Sequence, residues 1–238
     1  MIGGSGGVTL PLTKFRIGQE TDYLSGYKDL FIYGRPIEIS HVLFKNYGLA
    51  ASIEYDHVDG NSPRTDTFKD RIQQQYQDNF YILEMDPKGE SEGTEVIKGQ
   101  LGIFYTMDKP NFFIRPQLSI GVLSLDTKRY DIFLKEKNTN QVYRLGYDYL
   151  NSSTGYFTTD LSLRFGYKLS HRFAICLDAS ISHFKMDLTF QKDYQNLYTQ
   201  QLISEQFNYH KNILSASTGI GFTYLVSKRT IKQKTTIN

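Results

Sequence analysis

From residue 156 to residue 182 the chain alternates with period two, interrupted only by a tight turn. Phe157, Thr159, Leu161, Leu163, Phe165, Tyr167 and Leu169 share one parity. Tyr156, Thr158, Asp160, Ser162, Arg164, Gly166 and Lys168 share the other. After Ser170-His171, Phe173, Ile175, Leu177, Ala179 and Ile181 alternate with Ala174, Cys176, Asp178, Ser180 and Ser182. Successive residues of a strand point to opposite faces, so this stretch reads as a β-hairpin whose two faces meet different surroundings.

The pattern recurs along the chain. Strands are expected over residues 2–12, 31–44, 47–56, 96–106 and 112–125, and in a last strand ending at Val226. That makes about eight strands in an all-β, antiparallel, up-and-down order. The connections at 45–48, 108–111 and 170–171 are short; those starting near residues 14, 59, 127 and 191 are long. All short turns then fall at one end and all long loops at the other, the layout of a transmembrane barrel. Residues 59–95 read as a long loop with a short helix within 68–80. Residues 135–153 and 191–206 read as two further loops. Near His183 the apolar parity passes to Phe184, Met186 and Leu188, which a β-bulge or an exit from the membrane would explain. Residues 1–226 form the barrel domain on this reading, and 227–238 a disordered basic tail.

A mean hydropathy of −0.42 and no apolar run of 18 residues exclude a transmembrane helix. A barrel passes that test, since only alternate residues touch lipid. The polar parity is rich in small residues and carries both signs of charge. Glu38, Glu54, Asp160 and Asp178 stand against Lys98, Arg115 and Arg164. A narrow interior needs small side chains for room and needs its charges paired. Aromatics mark the ends of the apolar parity: Tyr47, Tyr105, Phe112, Tyr167, Phe173 and Tyr224 near the short turns, and Phe31, Tyr33, Tyr55 and Phe157 toward the long loops. Aromatic girdles of that kind belong at two lipid–water interfaces. Arg35 and His41 fall on the lipid parity. A register shift at Pro36 would account for Arg35; His41 has no such reason. A soluble lipocalin-like carrier of an apolar ligand would turn the faces the other way, apolar inside and polar in water. The absence of Trp counts against it.

With these features the chain resembles the small outer-membrane β-barrel proteins of Gram-negative bacteria, in the manner of Bacteroidetes outer-membrane barrel domains. The likeness rests on the Lys45-Asn46-Tyr47-Gly48 turn and on strands such as 161–167 and 220–226. It implies a place in the outer membrane, contact with membrane lipid and lipopolysaccharide, and recognition of the last strand by the barrel-assembly machinery. Phe222, Tyr224 and Val226 resemble that strand signal, although a basic tail follows them. A structural, adhesive or surface-binding role through the long loops is the expectation.

Little in the sequence points to chemistry. One cysteine, Cys176, rules out a disulfide framework. The glycines of residues 3–7 lack phosphate-loop spacing and read as a closely packed strand. His57 with Asp56 and Asp59, or His183 with His210, are the candidates for a lipid-modifying enzyme, and neither has ligand-pair spacing. Asp56, Asp59, Asp66 and Asp70 lack the order of a calcium loop. No catalytic residue, cofactor, metal or nucleic-acid partner is therefore expected. Lys14, Lys28, Lys69, Arg71, Lys135 and Lys137 could meet lipopolysaccharide phosphates. No secretory leader is visible ahead of the Gly-rich first strand.

Overall fold

The computed structural model describes residues 1–13, 31–58, 72–88, 94–126, 129–150 and 155–226. They form twelve strands in one antiparallel sheet. In chain order these are β1 (Ile2–Pro11), β2 (Phe31–Phe44), β3 (Tyr47–Val58), β4 (Phe80–Lys88), β5 (Thr94–Tyr105), β6 (Met107–Asp108), β7 (Phe112–Asp126), β8 (Arg129–Glu136), β9 (Val142–Tyr149), β10 (Gly155–Lys168), β11 (Phe173–Asn196) and β12 (Leu202–Tyr224). The ladders run from β1 to β2, β3, β5, β7, β10, β11 and β12, and β12 pairs back onto β1. β6 continues the line of β5 along β7 past Thr106.

β11 and β12 are 24 and 23 residues long. A tilted strand needs only about 9–11 residues to cross a bilayer core. The surplus of this hairpin stands beyond the ring and carries three more strands. β9 pairs with the outer part of β11, β8 with β9, and β4 with β8. A helical turn at 72–76 lies against this annex, with Ile72 buried among Ile132, Leu134, Leu145 and Tyr147.

Residues 59–95, read as a loop with a helix, hold both the helical turn and β4. The four consecutive apolar residues 80–83 hid the strand, because its two sides do different jobs. Phe80 and Ile82 pack on the annex core, while Tyr81 and Leu83 are exposed. Within the expected loop at 135–153 lie the end of β8 and all of β9. Within 191–206 lie the ends of β11 and β12, around a turn of only a few residues. Eight strands was thus an undercount of the sheet: its annex strands are short, and charged side chains interrupt their alternation.

Two further expectations change. The register shifts between Gly34 and Ile37 in β2, where Pro36 has no N–H to give the ladder. The described positions before the shift, Ile32 to Arg35, reverse parity, while the Phe31 side chain lies outside the described residues. Tyr33, expected among the lipid-facing aromatics, is 3% exposed and turned inward, its hydroxyl lying over Gly219, where any side chain would collide with it. Arg35 is buried, as a register shift at Pro36 would have it. At His183, by contrast, there is no bulge. The β11–β12 register runs unbroken from Phe173↔Tyr224 to Gln195↔Leu202. What changes there is chemistry. Below it the outward positions are Phe173, Ile175, Leu177 and Ile181, and the buried ones include Asp178 and Ser182. Above it the outward positions are His183, Lys185 and Asp187, and the buried ones are Phe184, Met186, Leu188 and Phe190.

Candidate functional site

The inward positions of the ring bring the sequence-selected charges into one cluster. Glu38 on β2 takes hydrogen bonds from Arg115 on β7 and from Arg164 on β10, the latter at 2.7 Å. Those strands lie well round the ring from β2, so these contacts reach across the interior. Arg115 and Arg164 sit opposite each other on neighbouring strands, a repulsive placement that Glu38 offsets. Arg164 also grips Asp178 through Nε at 2.5 Å and Nη2 at 2.7 Å. Farther along, Lys98 Nζ lies 2.5 Å from Glu54 and 3.1 Å from Asp160. Gln100, Thr158 and Ser182 donate to the same Asp160 carboxylate.

Arg35 joins the two halves. It donates to Glu54 from Nη2 at 2.6 Å and to Glu38 from Nη1 at 3.4 Å. Sequence reasoning missed it because its parity is wrong until Pro36 shifts the register. A charge count would have found it: the seven selected residues hold four carboxylates and three cations. With Arg35 the cluster is balanced. All eight charged residues are buried, and a buried charge is tolerable only when paired. Above the cluster is a chamber of about 30 Å³, enough for a water molecule or two. Asp56, Lys98, Phe184 and Ile213 are among its lining residues.

The outward positions are apolar. Leu161, Leu163, Leu101, Ile103, Leu118, Ile120 and Ile220 are exposed by half or more. Tyr47, Phe157, Tyr167 and Phe173 are exposed at the ends of this band, with Tyr55 and Tyr224 less so and Tyr105 half-buried. Tyr47 packs on Tyr105, and Phe173 on Tyr224, at ring separations of 5.0 and 5.3 Å. His41 points outward opposite Leu49, near the Lys45–Asn46 turn.

Of the histidine candidates, His183 lies opposite Leu214 and His210 opposite Asp187, so they are four positions apart along the ladder. His210 Nδ1 is 2.5 Å from Asp187 on an exposed face. That hydrogen bond holds the Asp187 carboxyl below its usual range. The His57 side chain and Asp59, Asp66 and Asp70 lie outside the described residues, as do Lys14, Lys28, Lys69, Arg71 and the tail. Lys135 and Lys137 are in the annex.

No protein-family model and no curated protein matches the chain. Among solved structures, it aligns with a major outer membrane protein from Thermus thermophilus at TM-score 0.44 and 7% identity, over 94% of this chain and 98% of that one. It aligns with the outer membrane protease OmpT from Escherichia coli at TM-score 0.31 and 8% identity, over 94% and 96%. The toluene transporter TodX of Pseudomonas putida aligns at TM-score 0.21 and 9% identity, over 95% and 78%. Likenesses this distant pass no function to this chain.

Proposed function

We propose that the chain is an integral outer-membrane protein: an eight-stranded transmembrane barrel, plugged by its own ion pairs, that holds a folded annex outside the cell for binding. The observation that carries this reading is the exchange of polarity at His183 on an unbroken strand. A strand with apolar residues outward and charged residues inward is in a lipid-solvated ring; one with the reverse is in water, over a core of its own. The residues from Phe157 to Tyr167 rise about 33 Å along the strand. Tilted by about 45°, they span close to the roughly 25 Å lipid-facing band of such barrels. The exposed aromatics at its edges act as girdles.

Glu38, Glu54, Lys98, Arg115, Asp160, Arg164 and Asp178, with Arg35, serve as a structural plug. Contacts reach across the interior from β2 to β7 and β10, which favours an anchor over a channel. A soluble carrier of an apolar ligand would need the opposite facing. Outer-leaflet lipid, lipopolysaccharide included, surrounds the apolar band, and β12 with Phe222 and Tyr224 presents the assembly signal. The annex lies at the long-loop end, on the outside.

The test has two parts. The purified protein should migrate faster on a gel unheated than boiled, and an epitope inserted at Tyr198, the β11–β12 tip, should be labelled on intact cells. Solubility without detergent, or labelling only after lysis, would reverse the reading.

A further inference from the structure

We infer that the annex carries a binding site for uncharged saccharide. It deepens the binding role proposed above, resting on that reading for its position at the cell surface. Beside β4 is an open groove of about 600 Å³ lined by Gln73, Gln77, Asp78, Phe80, Tyr81, Ile82 and Lys137. That volume is within the roughly 300–1,000 Å³ of small-molecule sites. Its floor is fixed. Phe80 meets Tyr76 and Tyr143 edge-on, at ring separations of 5.9 and 5.6 Å. Its two walls are tied together where the Lys137 N–H donates to the Asn79 carbonyl at 2.9 Å.

The rim matches the chemistry of a sugar. A pyranose offers an apolar C–H face and a rim of hydroxyls that both donate and accept. Tyr81, 57% exposed, offers an aromatic face, and the Lys137 ammonium stands 5.1 Å from that ring's centre. The Gln73 and Gln77 amides donate and accept, the Asp78 carboxylate accepts, and the ammonium donates. None of these four side chains has a hydrogen-bond partner among the described residues. One cation and one carboxylate leave the groove without net charge, so its overall field favours an ion of neither sign.

An extended peptide added to the edge of β4 is the competing occupant. Among the described residues β4 pairs on one side only. However, its edge is interrupted by a register shift between Ile82 and Glu84 and by Pro87, features that blunt strand addition. Side-chain recognition in the groove is favoured over main-chain pairing along it.

The full chain, folded in detergent, is applied to an array of uncharged, sialylated and sulfated glycans. A retained uncharged glycan is then titrated by tyrosine fluorescence, which the absence of Trp leaves unobscured. Tyr81→Ala and Gln77→Ala should each weaken binding by roughly tenfold. Tyr198→Ala, another exposed aromatic in the annex, should leave it unchanged. Retention of charged glycans alone, of none, or undiminished binding by Tyr81→Ala overturns the site, as does capture of an extended peptide that Tyr81→Ala does not weaken. Heat-modifiable migration of the same sample reports on the barrel separately, so a failed sugar site and a failed membrane reading are distinguishable.

Discussion

The ring and the annex share two continuous strands yet are built on opposite rules. In the ring a cluster of paired ions is buried, with Phe113, Ala174 and Cys176 closing one end, and the exposed groups are Leu, Ile and Phe. In the annex the buried groups include Ile132, Leu134 and Leu145, and beyond the ring the ion pair Lys185–Asp187 sits on the outer face. Backbone geometry does not tell the two apart, since β11 keeps register through the boundary. On the membrane reading proposed above, the solvent on each side does. Hydrocarbon rewards an apolar exterior and leaves polar residues to pair within; water rewards the reverse.

The strongest way to break this comparison is to remove one ion from each region. Glu38→Ala removes a buried carboxylate shared by Arg35, Arg115 and Arg164 and should destabilise the folded protein by about 3–5 kcal/mol. Lys185→Ala, half of an exposed pair with Asp187, should lose only about 0–1 kcal/mol. Urea unfolding of both variants in the same detergent measures the difference, and equal losses would mean that the two networks are alike.

Next is the exterior. Leu161→Arg places a charge near the middle of the lipid-facing band and should reduce folding into vesicles by about 2–4 kcal/mol. His210→Arg, on the outward face beyond the boundary, should leave the unheated gel band nearly unchanged. A smaller effect of opposite sign belongs to Tyr209. Its hydroxyl is buried without a hydrogen-bond partner, and burial pushes its pKa up to about 12. Tyr209→Phe should be neutral or stabilise by about 1 kcal/mol in thermal melts. Smallest of all is the contribution of Asp187. Its folded-state carboxyl is held low by His210, so the stabilisation is present above about pH 4 and lost as pH falls through the depressed value. Being half exposed, it should amount to less than about 1 kcal/mol. Asp187→Asn should be slightly less stable than the parent at pH 6 and equal to it at pH 2.

The ring was legible because period-two alternation runs the length of its strands. Leu161, Leu163 and Phe165 alternate with Asp160, Ser162 and Arg164 without exception, and a reader of period two cannot miss it. The annex strands obey the rule too, but over short spans: β8 and β9 have eight residues each, with Lys, Arg and Asp among the apolar ones. Tyr33 was placed on the wrong face for a local reason, the same shift at Pro36 that accounts for Arg35. A proline displaced the count by one, and the described positions before it inverted. The groove left no sequence signal. Gln73, Gln77 and Lys137 meet only because β4 docks on β8, a pairing between segments some fifty residues apart.

The single ladder shared by β11 and β12 has a mechanical result. A tug on the tip at Tyr198 acts along both strands at once and is resisted by their bonds to β10 and β1 as well as to each other. Those bonds lie across the pull and share the load together, in shear, instead of opening one by one. Whatever the groove grasps is therefore held by a stiff mast footed in the eight-strand ring, not by a tether that swings.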